Sequence, residues 1–447
     1  MTKTLSDYYR IPEDTLATNL AENAAGEEGF FRFGDGNICY GRSPSGVSAK
    51  VADSELFCTT AKVIRDRHTV ELPFDFHEVI DNLRFERYRE RMVPGLEVFA
   101  ASEPVRKLYY FMRSCLPVSV RRHLQKAYFS DWKSIPFPSW PVDFTVDNLH
   151  EEFLKLHMQA NGISSVPFIW FWPNGSRSCL MMTHDVETVA GRDFTPQLIS
   201  LDAKYGIKGS YQVIPEKRYS VPDSYVSEIR SQGCEFNVHD LNHDGHLYRE
   251  REEFVRRARR INGYVQKFGC NGFRAGAMYR RQDWYDVFEF SYDMSVPNVA
   301  HLEPMRGGCC TVFPYFIGRI LELPLTATQD YSLFHILNDF SIELWKKQLS
   351  LILNRNGLMS FITHPDYLIE SRARKVYESL LSFLQGMVQR ENVWTALPGD
   401  IDRWWRARSR MSLQPKAGGW EIVGEGSECA RVAFAVLENE KLRYELQ

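Results

Sequence analysis

The chain is 447 residues long, which exceeds the usual span of one hydrophobic core, so two or three domains are expected. Its 44% hydrophobic and 25% charged residues are typical of a globular protein, and a net charge of −3 argues against nucleic acid as a partner. No run approaches the roughly 18 apolar residues of a membrane span. The polar, acidic N-terminus also lacks the apolar region of a secretory signal. These features predict a cytoplasmic protein without a transmembrane segment.

The nine cysteines form an odd set without a Cys-x-x-Cys pair. This spacing argues against a disulfide framework and against a zinc site built from thiolates. A reducing compartment agrees with the predicted cytoplasmic location.

The first predicted element is a hairpin, in which Phe30–Phe33 and Ile38–Tyr40 flank an Asp-Gly turn. Residues 82–130 have a helical pattern, within which Val105–Tyr128 mixes aromatic and basic side chains. That segment is predicted to pack on its own domain, with weak docking at a membrane surface as the alternative. Residues 135–141 contain three prolines and mark a linker.

From about residue 165 to residue 400, short apolar runs alternate with amphipathic segments, which is the pattern of a parallel α/β fold. The predicted strands of this region are Ser178–Thr183, Lys208–Ile214, Glu235–Val238, Gly272–Arg274, Ile320–Leu323 and Leu358–Thr363. The predicted helices include Pro196–Tyr205, Arg251–Phe268 and Ser341–Asn354. The tail returns to short predicted strands at Trp420–Val423, Ala430–Val436 and Leu442–Leu446.

We therefore predict three parts of the chain. They are an N-terminal accessory region of a hairpin plus helices (1–145), a central α/β region (146–410) and a C-terminal β segment (411–447). Because both ends contain predicted strands, the C-terminal segment is expected to pair with the N-terminal hairpin in one accessory sheet.

The clearest chemical signal is a cluster of histidines after a predicted strand. His239, His243 and His246 are three of the twelve histidines and lie within eight residues. The spacing of His239 and His243 predicts that both imidazoles lie on one face of a helical turn and can reach one metal ion. The alternative is a polar loop in which the histidines are incidental. Its place after a strand favours a metal site, because α/β barrels carry their active sites at strand ends.

Two carboxylates follow the predicted strand Ser178–Thr183. In an extended segment, Asp185 and Glu187 point to the same side, while His184 and Val186 point to the other. One carboxylate could then bind a metal ion while the other acts as a base. The alternative is that both simply favour the start of the helix that follows.

Three more polar groups follow predicted strands in the same way. Arg274 ends one strand beside small residues that permit close approach, Asp330 follows the next, and His364 follows another. Each group alone is explained by capping or packing. Polar groups at five strand ends in order along the chain indicate one shared site.

This order of motifs resembles the polysaccharide deacetylase family, the carbohydrate esterases with a NodB-like homology domain, over roughly residues 175–370. The family's Thr-Phe-Asp-Asp-Gly, His-Ser/Thr-x-x-His and Arg-x-Pro-Tyr motifs correspond to Thr183–Glu187, His239–His243 and Arg274–Gly276. Its acidic fourth motif and its final Leu-x-His motif correspond to Asp330 and Ile362–His364.

The resemblance implies a distorted (β/α) barrel with a divalent metal ion, most often Zn²⁺, and hydrolysis of an acetyl group on a glycan. Val186 replaces the family's usual Asp ligand, so the metal would be held by Glu187, His239 and His243. The roles of Asp185 and Glu187 could be reversed. Two further candidates for the neighbourhood of the metal are Asp244 and His246, and Gly276 replaces the proline of the third motif.

The same resemblance gives each remaining group a role. Asp185 would take a proton from the attacking water, with Arg274 orienting it and lowering its pKa. His364 would protonate the leaving amine or alkoxide, and Asp330 would keep that imidazole positively charged.

The sequence thus predicts a metal-dependent hydrolase that removes an acetyl group from an amino sugar or glycan precursor, including a lipid- or nucleotide-linked one. A small-substrate C–N amidohydrolase and a non-catalytic glycan-binding relative are the alternatives. Aromatic residues at the mouth would favour a sugar over a small amide, and Tyr279, Trp284 and Tyr331 are the candidates.

Overall fold

The computed structural model of the chain describes residues 3–12, 19–22, 26–43, 48–52, 55–66, 69–91 and 129–447. The segment Val105–Tyr128 lies outside the described residues, so its docking at a membrane stays a prediction. Among the helices within these ranges, none has the length and apolar character needed to cross a membrane.

The described strands are β1 (Asn19–Glu22), β2 (Glu27–Phe33), β3 (Asn37–Ser43), β4 (Ile64–Asp66), β5 (Thr69–Leu72), β6 (Ser165–Ile169), β7 (Ser178–Val186), β8 (Gly209–Val213), β9 (Glu235–His239), β10 (Gly272–Arg274), β11 (Tyr292–Asp293), β12 (Tyr315–Ile317), β13 (Ile320–Glu322), β14 (Leu358–Thr363), β15 (Val393–Thr395), β16 (Ser412–Lys416), β17 (Gly419–Val423), β18 (Val432–Glu438) and β19 (Lys441–Leu446). The described α-helices are α1 (Lys3–Tyr9), α2 (Phe76–Arg84), α3 (Thr145–Asn161), α4 (Val189–Lys204), α5 (Asp223–Ser231), α6 (Arg251–Phe268), α7 (Glu343–Leu353), α8 (Ser371–Glu391) and α9 (Pro398–Arg410).

The central sheet has nine strands in the order β12-β13-β11-β10-β9-β8-β7-β14, with β15 beside the start of β7. All of its pairings are parallel except that of β12 with β13. The two edges meet through the segment after β13, where the Ala327 N–H donates to the Ser360 carbonyl at 3.1 Å and Thr326 Oγ1 donates to the Leu358 carbonyl at 2.7 Å. The sheet thus forms a distorted barrel, and the predicted α/β fold class is confirmed.

The predicted strands and helices of this barrel are present, with ends that differ by a few residues. The largest difference is in α4, which begins at Val189 rather than at Pro196. Thr188 starts the helix because its hydroxyl accepts the Gly191 N–H at 3.0 Å. A proline favours the first turn of a helix, which is why Pro196 suggested a later start.

Two carboxylic acids are buried below the rim that carries the carboxyl ends of the strands. Asp293 and Glu322 are register partners on β11 and β13, and both are fully buried. Asp293 accepts hydrogen bonds from Ser295 Oγ at 2.6 Å and from Tyr285 at 2.7 Å. Burial raises the pKa of Glu322 well above its usual value, and the neighbouring Asp293 raises it further. Ser295 Oγ also accepts the Ala275 N–H at 2.8 Å, so this layer supports the end of β10.

Replacement of Glu322 by glutamine is expected to flatten the dependence of stability on pH. In the unfolded chain the carboxyl ionises near pH 4.3, whereas in the folded chain its pKa is higher. Wild-type stability therefore falls as the pH rises through this window, by up to about 1.4 kcal/mol per pH unit. The amide of glutamine does not ionise in either state.

Urea unfolding at pH 5 and pH 8 measures this difference. The wild type should lose more unfolding free energy over that interval than Glu322→Gln does. The exposed Glu252→Gln on α6 is a matched control and should keep the wild-type dependence. Equal losses in the wild type and in Glu322→Gln would contradict the prediction.

The predicted pairing of the C-terminal segment with the N-terminal hairpin is wrong. In the described structure β18 lies between β19 and β6, while β2 pairs with β3 and makes single bridges to Ala49 and Cys58. The physical reason is that β6 lies outside the central sheet and offers an apolar edge. Against this edge β18 pairs in antiparallel register and buries Ala433 and Ala435.

The two ends of the chain nevertheless meet through side chains. Arg408 on α9 is buried and donates to the carbonyls of Tyr8, Ile169 and Trp170 at 2.7–3.0 Å. The hydroxyl of Tyr9 lies 2.8 Å from that of Tyr444. The division of the chain at residues 145 and 410 stays a prediction.

Candidate functional site

The two predicted metal-binding histidines lie together at the rim of the barrel. His239 is the last residue of β9, and its ring centroid lies 4.9 Å from that of His243. The predicted helical turn between them is wrong, because Asp240 and His243 have positive φ angles of 54° and 55°. An irregular loop, not a helix, folds His243 back beside His239.

Gly276, the residue in place of the family's proline, allows this loop to approach the strand β10. A Cβ atom at this position would lie 2.6 Å from Asp240 Oδ2 and 3.0 Å from the His243 ring. Any larger residue would therefore displace the loop that carries His243.

Glu187 joins the two histidines. Its Oε1 lies 2.9 Å from His243 Nε2 and 3.7 Å from His239 Nε2, and one potential ligand atom from each residue falls within 4.8 Å of the others. His239 Nε2 is buried without a hydrogen-bond partner among the described residues, and the short approach of His243 Nε2 to Glu187 lacks the geometry of a hydrogen bond. His239 Nδ1 lies 3.1 Å from the Arg274 carbonyl, which places the proton on Nδ1 and leaves the Nε2 lone pair available. Two imidazoles and one carboxylate with unused donor atoms fit a divalent metal ion such as Zn²⁺.

Asp185 lies beside this group and is bound by a buried arginine. Arg274 Nη1 donates to Asp185 Oδ1 at 2.7 Å and to Thr183 Oγ1 at 2.8 Å, and its Nε donates to the Met294 carbonyl at 2.9 Å. The second oxygen of Asp185 is 3.8 Å from His239 Nε2. Burial opposes ionisation of Asp185, but Arg274, together with His239 and His364, outweighs it and holds the pKa below its usual value.

The strand β7 alternates as its pattern predicts. His184 faces away from the metal group and lies 2.8 Å from Thr363 Oγ1 and 2.9 Å from Asp202 Oδ2, while Asp185 and Glu187 face the histidines. The alternative explanation of the two carboxylates as helix caps fails, because Thr188 caps α4.

His364 and Asp330 form the opposite wall of the site. The Asp330 carboxylate lies 2.7 Å from His364 Nδ1 through one oxygen and accepts the His364 backbone N–H at 2.7 Å through the other. Burial lowers the pKa of His364, but Asp330 and Glu187 together more than compensate, so the pKa is raised well above its usual value. The free Nε2 lies 3.6 Å from Glu187 Oε1 and therefore faces the metal group.

The two further candidates for the neighbourhood of the metal do not join this group. Both carboxylate oxygens of Asp244 accept hydrogen bonds from Arg257 on α6, at 2.7 and 2.9 Å. His246 is 42% exposed and lies 3.8 Å from Asp244. The following helix, which supplies Arg257, thus directs Asp244 away from the histidines.

The three aromatic residues that were predicted to line the mouth of the site lie in different places. Trp284 packs against Phe254 on α6, between the guanidinium groups of Arg251 and Arg281 at 5.5 and 4.9 Å, rather than beside His364. Tyr331 lies among rings next to His364, and Tyr279 is half-buried against the hydrophobic core.

Several groups around the site were not predicted. Tyr219 donates to the Val186 carbonyl and accepts the Ile214 N–H at 3.0 Å, so it holds the peptide between Asp185 and Glu187. Tyr367 lies with its ring 4.8 Å from that of His364. The position of Tyr367 three residues after His364 could have indicated that the two rings are close. Nothing in the local pattern around Tyr219 indicated its contact with Val186.

No protein-family model matches this sequence, and no curated protein sequence matches it. Among solved structures, the chain is similar to a Mycobacterium smegmatis protein assigned as a polysaccharide deacetylase, with 17% identity and a TM-score of 0.45 over 56% of this chain and 96% of that one. It is also similar to the Puue allantoinase, with 14% identity and a TM-score of 0.41 over 53% of this chain and 92% of that one. A third is the peptidoglycan deacetylase PdaC from Bacillus subtilis, with 11% identity and a TM-score of 0.33 over 52% of this chain and 92% of that one.

Two of these three proteins carry names within the family that the sequence motifs resemble. Each similarity covers about half of this chain, with a TM-score below 0.5. The case for a function therefore depends on the residues of this chain itself.

Proposed function

We propose that this chain is a metal-dependent deacetylase of the polysaccharide deacetylase type, which removes an acetyl group from an amino sugar or glycan. The observation that carries the proposal is the arrangement of three groups at one rim of the barrel. Two histidine Nε2 atoms without hydrogen-bond partners meet a carboxylate, with an arginine-bound carboxylate on one side and an aspartate-bound imidazole on the other.

Glu187, His239 and His243 would hold the metal ion, with Zn²⁺ as the first candidate. When bound, the ion would lower the pKa of a water molecule towards about 7 and stabilise the charge on the acetyl oxygen. Glu187 is favoured over Asp185 as the ligand because its oxygen lies 2.9 Å from His243 Nε2, whereas Arg274 already binds Asp185.

The remaining residues would handle protons. Asp185 accepts the proton of the attacking water, and Arg274 keeps that carboxylate ionised and oriented. His364 Nε2 gives a proton to the sugar nitrogen or oxygen as its bond to the acetyl carbon breaks. Asp330 orients this imidazole through Nδ1. The products are acetate and the free amine or alcohol.

The substrate class extends to acetylated glycan precursors that are lipid- or nucleotide-linked. We retain the cytoplasmic location as part of the proposal. The proposal includes no nucleic-acid partner and no membrane-spanning segment.

The test is acetate release by the full-length protein from N-acetylchitooligosaccharides, with and without chelation and after Zn²⁺ is returned. Release that chelation abolishes and Zn²⁺ restores is the expected result. Metal-dependent hydrolysis of a small amide such as allantoin, without acetate release from sugars, would favour the amidohydrolase alternative. Sugar binding without metal and without hydrolysis would favour the glycan-binding alternative.

A further inference from the structure

We infer that Glu86, in the N-terminal part of the chain, is a positioning residue for the candidate metal site. It acts through Arg280 on the loop Ala275–Arg281, here called the rim loop, which lies against His243. The inference rests on the proposed function for its metal site. It assigns a role to a part of the chain that contains none of the predicted site residues.

Glu86 and Arg280 form an ion pair that is almost completely buried. Glu86 is 4% exposed and Arg280 is 1% exposed. Arg280 Nε donates to Glu86 Oε2 at 2.6 Å and Nη2 donates to Oε1, so the guanidinium binds both carboxylate oxygens. Glu86 Oε1 also accepts the Gly308 N–H at 2.6 Å. Because two hydrogen bonds between planar groups define one relative geometry, the pair fixes the orientation of Arg280 as well as its position.

The segment that carries Glu86 is fixed to the barrel on both sides of this residue. Two residues earlier, the Arg84 carbonyl accepts a hydrogen bond from Gln282 Nε2 at 2.8 Å. Two residues later, the Tyr88 hydroxyl donates to the Gly308 carbonyl at 2.6 Å. Glu86 is therefore an anchored point from which a neighbouring loop can be held.

Arg280 connects this anchored point to the rim loop. Its Nη1 donates to the Met278 carbonyl at 2.7 Å and to the Met305 carbonyl at 3.3 Å. Ala277 and Met278 have φ angles of 53° and 54°, in the left-handed region that residues other than glycine rarely adopt. Such a conformation persists where the surrounding contacts hold it, and the hydrogen bond from Arg280 is one of these contacts.

The rim loop in turn lies against the metal group. Gly276 packs so closely on Asp240 and His243 that a Cβ atom at this position would meet both. The Arg274 carbonyl, directly before the loop, accepts the Asp240 N–H at 2.7 Å and lies 3.1 Å from His239 Nδ1. Both metal-binding imidazoles therefore depend on the position of this stretch of chain.

The first measurement is the Zn²⁺ affinity of the full-length protein, by competition with a chelator of known affinity. Glu86→Gln removes the charge that holds Arg280. Arg280→Lys keeps a charge pair, so that no buried charge is left alone, but it loses the planar fork that also reaches the Met278 carbonyl. Zn²⁺ should dissociate about tenfold or more easily from both variants than from the wild type, because supporting residues of a metal site typically have effects of this size.

The second measurement is hydrogen exchange in the metal-free protein, which requires neither metal nor turnover. Amides of residues 240–246 and of the rim loop should exchange faster in both variants, while those of β8 and β14 keep the wild-type rate. On acetylated chitooligosaccharides, kcat should fall with little change in KM, because no contact with the substrate is altered.

Glu151→Gln is the matched control. Glu151 on α3 also binds an arginine from a distant segment, Arg355, at 2.7 Å. Arg355 lies three residues before β14, at the amino ends of the strands, away from the rim that carries the metal group. This variant should keep the wild-type Zn²⁺ affinity and the wild-type exchange of the rim loop.

Wild-type Zn²⁺ affinity in both variants, or an equal increase in exchange over the whole chain, would overturn the positioning role of Glu86. If Zn²⁺ binds to the wild type and binds more weakly to the variants, the role stands even where no acetate is released, and only the proposed function fails. If all three proteins release acetate with the same kcat and bind Zn²⁺ equally well, the role fails and the deacetylase proposal survives.

Discussion

Replacement of His239 by alanine is expected to remove both bound metal and deacetylase turnover. His239 is buried at the end of β9, its Nε2 has no hydrogen-bond partner among the described residues, and it lies 3.7 Å from Glu187. Without this imidazole the metal would keep only two of its three protein ligands. Because the metal activates water and stabilises the acetyl oxygen, kcat/KM should fall by about 10³-fold or more.

Metal analysis of the purified variant, together with acetate release, measures this effect. His150→Ala is a matched control, because His150 is also buried and also places Nδ1 beside a backbone carbonyl, that of Val146 at 2.7 Å. His150 lies on α3 outside the metal group, so the control should lose stability but retain metal in the folded fraction. Normal metal content in His239→Ala would show that His239 is not a metal ligand.

Replacement of His364 by glutamine is expected to reduce kcat on acetylated sugars by about 10²–10⁴-fold while leaving the metal content intact. His364 Nε2 faces Glu187 at 3.6 Å, and its Nδ1 is held by Asp330. The amide of glutamine can fill part of this space but cannot deliver a proton. The loss should therefore lie in the step in which the leaving group departs.

The identity of the substrate provides the control for this variant. A 4-nitrophenyl ester has a good leaving group that departs without protonation, so its hydrolysis should depend much less on His364. Comparing kcat on the ester and on an acetylated chitooligosaccharide gives the result directly. An equal loss on both substrates, or a loss of bound metal, would show that His364 has a structural or ligand role instead.

Much of the barrel could be predicted from the sequence, because its signals are local. The apolar runs of β10 and β14 and the amphipathic period of α6 were predicted with the bounds that the structure has. The carboxylate pair on β7 was also predictable, since the two-residue repeat of an extended chain puts Asp185 and Glu187 on one side.

The loops and long-range partners were not predictable in the same way. A four-residue spacing of histidines is compatible with a helix, and only the positive φ angles of Asp240 and His243 show the loop that brings them together. Asp244 is an acid beside that site in sequence, but Arg257 on the following helix binds it. Such outcomes depend on which side chain from a distant part of the chain the fold places next to the residue.

The sequence by itself therefore determined the elements of the barrel and the order in which polar groups occur at its strand ends. Periodicity and pleat are properties of neighbouring residues, and parallel strands bring their carboxyl ends to one rim. Only the tertiary structure decided that β18 pairs with β6, that Tyr219 binds the Val186 carbonyl, and that Tyr367 lies beside His364. Those contacts join segments that are far apart in the chain, or depend on the shape of a loop, and the fold sets them by packing and charge rather than by local pattern.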